Sequence, residues 1–448
     1  MYLPISHISF LQLGDVHYPD LLKASPLADH KDPGLSSATV GAVSSSRIAD
    51  ITRGIIRILG EEKNLVAVVL TGDLTTRGNV PGYKDCLAFL HGALQLADTV
   101  YWKDRRLLAV PGNHDINRAA IINGPPMSEK FEPLLKNWEE ICGSNEFLTV
   151  NAPKPTDLPT VLPGFPAPSI RFLPLNTCYL CGEHRAFPEQ IRDKVIQLLD
   201  ALKATVPADE FEKMMSEQID CPAVSREHVI ALEKHIREGD MDSVSVVIGH
   251  HPLFAQPMTR IDGYNEMLNA GYVRETILET RKNVIYLHGH IHQDPLLIVN
   301  SPLKGSHRII HVSAPALEDG FNLIKIFFSD ETNQPLGLEM IQYRFGDHFG
   351  LVKHAPIKLR LIDQASLWNE IDQPWIKYVL DKLFSPKFVL RFSDLLRAVP
   401  APLKRGIELI DQTEFIKDAL VILELLEIID ITNRDGSVKT WQCHRKTI

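Results

Sequence analysis

Cysteine is scarce in this chain, with six in 448 residues and no regular spacing among them. That excludes the disulfide framework of a small secreted domain and predicts reduced thiols in a cytosolic setting. Long apolar runs are absent too. No stretch approaches the roughly 20 consecutive apolar residues of a spanning helix, and no basic-then-apolar leader precedes the first motif. The expectation is a cytoplasmic protein with no membrane partner. Positive charge is in deficit: 47 Lys and Arg face 56 Asp and Glu, a formal net charge of −9. That argues against broad adhesion to nucleic acid or anionic lipid, though it is compatible with a local basic groove. The remainder is ordinary for a globular protein, 44% hydrophobic and 23% charged, in a length that suits about two to three domains.

What is present follows one grammar, a short apolar run and then a polar cluster. Ile8 to Leu13 precedes Gly14-Asp15-Val16-His17, and Leu65 to Leu70 precedes Thr71-Gly72-Asp73. Leu107 to Val110 precedes Pro111-Gly112-Asn113-His114-Asp115, Val244 to Ile248 precedes Gly249-His250-His251, and Asn283 to Leu287 precedes His288-Gly289-His290-Ile291-His292. Runs this short and β-branched read as buried strands. Amphipathic helices are predicted between them at Ser46 to Gly60, Gly82 to Ala97 and Ser225 to Glu238. Alternation of this kind predicts an α/β fold with each polar cluster at the C-terminal end of a strand, where ligands bind in such sheets. Strands at Arg308 to Ser313, Phe321 to Phe328 and Leu336 to Phe345 would close a sheet. Two regions interrupt the pattern. Residues 116–170, rich in Pro and Asn, predict an insertion over the site, and residues 182–222 carry one helix, Pro188 to Lys203.

The polar clusters are rich in metal ligands. Asp15 and His17 are two apart, which in a strand turns them the same way. Asp73 can bridge two cations through its two carboxylate oxygens, Asn113 offers an amide oxygen, and His250, His290 and His292 offer imidazoles. Mixed nitrogen and oxygen donors suit Mn, Fe, Zn or Ni rather than Ca.

This ordered set resembles the calcineurin-like metallophosphoesterase superfamily, whose pattern is D-x-H, G-D, G-N-H-D/E, G-H and G-H-x-H. All five motifs stand here in order across about residues 8 to 345. The resemblance implies a metallophosphoesterase-type α/β/β/α sandwich with two divalent metal ions. One would be held by Asp15, His17, Asp73 and His292, the other by Asp73, Asn113, His250 and His290. Two cations about 3.5–4 Å apart would activate a shared water for in-line attack on phosphorus. His114 would contact the phosphate and help protonate the leaving oxygen. In the phosphoprotein phosphatase branch the second motif reads G-D-x-x-D-R-G, and its later Asp orients that histidine. Here Gly72-Asp73-Leu74-Thr75-Thr76-Arg77-Gly78 carries Thr76 instead, so a protein phosphatase is disfavoured and His114 needs another orienting group.

Arg77 and His251 are candidate contacts to the substrate phosphate, with a surface ion pair and a site-shaping role as their duller readings. Cys178, Cys181 and Cys221 read as buried free thiols rather than a zinc site. The chain divides near Phe349 to Lys358 into a catalytic domain, residues 1–350, and a C-terminal unit, residues 358–448. Helices at Pro374 to Leu383, Phe392 to Ala398 and Glu414 to Ile428, then a hairpin signal around Asp435-Gly436, predict a small winged-helix-like domain. From residue 357 onward it holds 14 Lys and Arg against 13 Asp and Glu. That balance favours protein contact or self-association over DNA binding. The resulting functional expectation is a phosphodiesterase acting on a nucleotide or related small diester. A nuclease on DNA or RNA, a phosphomonoesterase and a non-catalytic metal-binding scaffold stand as alternatives.

Overall fold

A computed structural model of the protein describes residues 5–18, 37–76, 78, 80–117, 130–142, 149–151, 153–157, 170–183, 189–207, 210, 220–239, 243–254, 267–292, 296–300, 307–329, 335–346 and 350–361. Beyond these it describes 389–391, 417, 420–421, 423–424, 429–432 and 442–445. The chain runs β1 (Ile5–Leu13), α1 (Ser37–Glu61), β2 (Leu65–Leu70), α2 (Val80–Ala93), α3 (Thr99–Trp102) and β3 (Arg106–Ala109). It continues through α4 (Glu132–Cys142), β4 (Thr156–Asp157), β5 (Ile170–Pro174), β6 (Leu180–Cys181), α5 (Glu189–Thr205), β7 (Asp220–Cys221), α6 (Arg226–Glu238) and β8 (Val244–Ile248). After α7 (Ala270–Glu279) come β9 (Val284–His288), β10 (Leu296–Asn300), β11 (Arg308–Ser313), β12 (Gly320–Ser329), β13 (Pro335–Phe345), β14 (Leu351–Lys353) and β15 (Ile357–Arg360).

Two sheets stack face to face. The first is ordered β14-β13-β12-β1-β2-β3, with β15 also on β13, and the second β10-β11-β9-β8-β5-β4. Alternation along each strand decides which layer a side chain joins. On β1, Ile8 and Phe10 turn into the inter-sheet core with Val66, Val69, Phe172, Val246, Ile285 and Leu287. Leu11 and Leu13 turn outward, under Ile51, Ile55 and Ile58 of α1 and Tyr83 and Leu87 of α2. The second sheet does the same: Val247 and Tyr286 leave its inner face to pack under Val229, Leu232 and Ile236 of α6 and Val273 and Ile277 of α7. Hence both faces of the central strands are apolar, and the layers are α/β/β/α. Phe10 and Phe172 meet edge to face across the sandwich at 5.3 Å. Burying each such side chain is worth about 1.5–3 kcal/mol.

The strands that carry the motifs are parallel neighbours: β1 with β2, β2 with β3, β5 with β8, and β8 with β9. Their C-terminal ends therefore open at one edge of the sandwich. The helix of the 116–170 insertion, α4, lies in the outer layer, where Leu134 and Trp138 are fully buried against the α2 cluster. Its N-terminal flank is anchored beside the motif loops. Lys130 donates to the carbonyls of Cys178 (2.8 Å) and Tyr179 (3.2 Å) and sits 3.5 Å from Glu183. Residues 118–129, 143–148 and 158–169 of that insertion lie outside the described residues.

In the C-terminal part, β16 (Val389–Arg391), β17 (Ile429–Thr432) and β18 (Gln442–Arg445) form an antiparallel sheet ordered β16-β18-β17. The pairing of β17 with β18 agrees with the hairpin expectation, while Asp435-Gly436 and the helices expected at 374–383 and 392–398 lie outside the described residues. Lys358 on β15 pairs with Glu424 and lies 3.8 Å from Glu339. No helix among the described residues is long and apolar enough to cross a membrane.

Candidate metal centre

Asp15 and His17 lie beyond the end of β1, so strand alternation does not bring them together. Both take left-handed backbone angles (φ 43° and 44°), as do Asp73 (48°), His290 (71°) and His292 (51°). Among the described non-glycine residues only Gln95 and Arg281 share that conformation. Left-handed Asp and His residues cost of order 1–3 kcal/mol each where the surroundings over-determine them. Five of seven falling on motif residues marks this edge as the place where the fold holds strain. The turns need glycine for close approach: a Cβ at Gly112 would strike the Asp73 carboxylate, and one at Gly289 the Asp15 carboxylate.

The side chains converge. Asp73 Oδ2 lies 3.2 Å from His250 Nε2 and 3.6 Å from His17 Nε2. His250 Nε2 is 3.0 Å from Asn113 Oδ1, and its Nδ1–H donates to the Thr71 carbonyl at 2.8 Å, which leaves the Nε2 lone pair toward the carboxylate and amide oxygens. His17 Nε2 and His292 Nε2 face each other at 3.1 Å, and Asp15 Oδ1 is 3.6 Å from His292 Nε2. Asp15 also accepts the His290 N–H through both oxygens, at 2.8 and 3.0 Å. The ligand atoms of Asp15, His17 and His292 lie within 4.8 Å of one another, as do those of Asp15, Asp73 and His250, and those of His250, His251 and His290.

His114 stands at the rim, partly exposed. Its N–H donates to Asp73 Oδ1 at 2.9 Å, and its ring Nδ1–H donates to the main-chain carbonyl of Thr76 at 2.9 Å. The orienting group is thus the backbone of the residue that stands in place of the carboxylate. Thr76 in turn donates its hydroxyl to the His17 carbonyl at 2.9 Å. Three groups were not singled out from the sequence. Asp115 accepts the N–H groups of Leu74 (3.1 Å), Thr75 (3.0 Å) and Gly112 (2.9 Å), stitching the second and third motif loops together. Thr71 contributes a carbonyl. Thr177, at the end of β5, holds His250 and His251. The cue for Thr177 is the motif grammar itself, an apolar run ending in Asn176-Thr177, hidden among prolines. Arg77 lies outside the described residues.

Residues 8–294 match a family model described as calcineurin-like phosphoesterase. The chain belongs to that family. Among solved structures, this phosphoesterase is similar to a purple acid phosphatase from yellow lupin (Lupinus luteus) seeds, at 12% identity over 79% of this chain and 54% of that one, TM-score 0.41. It is similar to an NAD nucleotidase from Haemophilus influenzae, at 9% identity over 79% and 60%, TM-score 0.37. A 5′-nucleotidase from Candida albicans matches at 11% identity over 76% and 53%, TM-score 0.36. The matched region spans little more than half the length of these proteins. No curated protein matches the phosphoesterase in sequence.

The donor set fits divalent cations. Imidazole nitrogens and carboxylate oxygens that point at one another across 3.1–3.6 Å repel unless a proton or a cation lies between them. His17 Nδ1 is also buried without a hydrogen-bond partner. Without a cation, protons take that place. Burial disfavours charge on His250, but the carboxylate of Asp73, its hydrogen bond, and Asp15 outweigh burial and raise its pKa to about 10. Burial raises the Asp15 carboxyl well above the carboxylate range, with Asp73 adding to the effect. Asp73 is held well below that range, burial being overcome by His250 and His114. Asp115 rises to about 6 through burial and Asp73, and His290 falls to about 3 through burial and His250.

Cations must displace the proton that His250 holds up to about pH 10. Metal affinity is therefore expected to rise between pH 6 and 8, about tenfold per pH unit for each proton released. Calorimetric titration in buffers of different ionisation enthalpy checks this, and a pH-independent affinity without proton release contradicts it. In the metal-free protein the raised His250 pKa stabilises the fold fully below 6.5, and that contribution is lost as pH rises through about 10.

Cys178, Cys181 and His251 form a further buried group whose ligand atoms lie within 4.8 Å. Burial raises the Cys178 thiol well above its usual range, which is the behaviour of a neutral packed thiol.

Proposed function

We propose that the centre holds two divalent cations and hydrolyses a phosphodiester by in-line attack on phosphorus. The observation that carries this is the convergence of Asp73 with His17, His250 and Asn113 around His114 at one open edge of the sandwich. Asp15, His17, Asp73 and His292 would hold one cation, and Asp73, Asn113, His250 and His290 the other, with Mn, Fe, Zn or Ni as candidates. When bound, such a pair supplies Lewis acidity and an activated water. Asp73 orients both halves of the cradle while its second oxygen fixes the His114 backbone. Thr71 and Asp15 lock ring and loop positions, so the centre needs little rearrangement as charge develops. His114, oriented by the Thr76 carbonyl, donates a proton to the leaving oxygen. His251 contacts a non-bridging phosphate oxygen, and Arg77 serves the same role from the second motif.

A diester is favoured over a monoester because Gly112-Asn113-His114-Asp115 and Gly249-His250-His251-Pro252 resemble the bacterial cyclic-nucleotide branch of the family. The unbridged thiols of Cys86, Cys142, Cys178 and Cys181 support a reducing, cytoplasmic setting. The sequence sets the start of the C-terminal unit at residue 358, but β15 belongs to the sandwich through its pairing with β13; beyond β15 the chain forms a winged-helix-like module for protein contact or self-association, a reading supported by the three-stranded sheet and the balanced charge. The test of the activity is hydrolysis of bis-p-nitrophenyl phosphate against p-nitrophenyl phosphate with added Mn, with His114→Ala as the control. Preference for the diester is expected, with turnover lowered in the variant. Preference for the monoester would make the protein a phosphatase, and DNA cleavage with an affinity that falls steeply as salt rises would make it a nuclease.

A further inference from the structure

His250 and His251 are neighbours in sequence, and their rings lie 4.7 Å apart. His251 is also 4.5 Å from His290, so its ring stands against the second half of the centre. The two residues nevertheless meet opposite hydrogen-bond environments. His250 gives its Nδ1–H to a carbonyl, Thr71 O, which frees a lone pair at Nε2. His251 Nδ1 faces a hydroxyl, Thr177 Oγ1, at 2.9 Å. A hydroxyl has one proton to give and two lone pairs. Both lone pairs of Thr177 are taken, by the N–H of His250 at 3.2 Å and the N–H of His251 at 3.1 Å. Its proton therefore goes to His251 Nδ1, which accepts, and the neutral ring carries its own proton on Nε2.

We propose that the Thr177 hydroxyl holds His251 in the Nε2–H tautomer, so that His251 stands beside the metal centre as a neutral hydrogen-bond donor and not as a metal ligand. Freeing Nε2 for a cation would require moving its proton to Nδ1, where Thr177 Oγ1 already accepts two backbone N–H groups and has no lone pair left to receive it. The rest of the residue is equally constrained. Tyr286 donates its hydroxyl to the His251 carbonyl at 2.8 Å, and a Cβ at Gly249 would strike that same Tyr286 hydroxyl. Backbone N–H, backbone carbonyl and ring Nδ1 are thus all fixed, which leaves Nε2–H, directed away from Thr177, as the remaining polar group. Resting on the phosphoesterase reading above, that donor serves a non-bridging phosphate oxygen. Thr177 is the positioning residue, acting through His251.

The tautomer can be read without turnover. In the full-length, metal-free protein labelled with ¹⁵N-histidine, His251 is assigned by comparison with His251→Gln. Its Nδ1 is expected to be unprotonated and its Nε2 protonated, in the native protein and in Thr177→Ser. Thr177→Val, which keeps the shape and loses the hydroxyl, is expected to lose that pattern. Loading with Zn²⁺ is expected to leave the His251 Nε2 proton in place. A proton on Nδ1 in the native protein, or loss of the Nε2 proton on zinc loading, overturns the proposal. If the valine variant does not fold, the native and serine spectra decide. In diester hydrolysis, Thr177→Val should lower turnover at unchanged metal content and Thr177→Ser should restore it. Equal turnover in all three overturns the positioning role while leaving the phosphoesterase reading intact. An inactive native protein with the expected spectrum would sink that reading and spare the tautomer.

Discussion

Asp73→Asn is expected to lose both metal ions and to lower diester turnover on the order of 10³-fold or more, equivalent to several kcal/mol of lost charge stabilisation. The size follows from where the carboxylate sits. Oδ2 faces His250 Nε2 at 3.2 Å and His17 Nε2 at 3.6 Å, one from each half of the cradle, and Oδ1 accepts the His114 N–H at 2.9 Å. An asparagine keeps the oxygen that His114 needs, but it turns an NH₂ donor toward the imidazole lone pairs and removes the shared negative charge. The backbone argues that the variant folds, since Asn tolerates the left-handed angle that position 73 adopts. Elemental analysis after metal loading, together with kcat, decides the matter. Full occupancy of both positions with near-native turnover would contradict the bridging role of Asp73.

His114→Ala separates chemistry from metal binding. Alanine retains the backbone N–H that Asp73 accepts, so the cradle is expected to hold its metals as before. What disappears is the imidazole set by the Thr76 carbonyl. Turnover is expected to fall about 10²–10⁴-fold, the usual worth of a positioned general acid. The loss should shrink for a substrate whose leaving group needs no protonation, so p-nitrophenyl esters should show a smaller effect than alkyl diesters. Metal loss in this variant, or an undiminished rate on alkyl esters, would remove His114 from its assigned role.

The sandwich was legible because its central strands are apolar on both faces and end in polar clusters. Leu65–Leu70 and Val244–Ile248 emerge as strands with the expected limits. The convergence of the motif residues was legible for the same reason, since parallel neighbours place their C-terminal ends together. How Asp15 and His17 meet was not. Alternation along a strand suggested the right pair for the wrong cause, because both residues sit past Leu13 in left-handed turns that only the packed loops can enforce. Strand β5 was hidden for a different reason: a run as short as Ile170–Pro174, flanked by prolines, carries little local signal and depends on pairing with β8 for its place. That concealed Thr177. The group orienting His114 was equally out of reach, because a main-chain carbonyl leaves no mark in the identity of residue 76. The helix of the 116–170 insertion is amphipathic, and its apolar face at Leu134 and Trp138 drew it into the layer of α2.

The most direct measurement is reconstitution of the metal-free protein with a single divalent cation, following bound metal and hydrolysis of bis-p-nitrophenyl phosphate in the same titration. Two ions per chain are expected, with turnover appearing as the second is bound. Full activity with one ion bound, or hydrolysis that persists with none, would contradict a dinuclear centre built across Asp73.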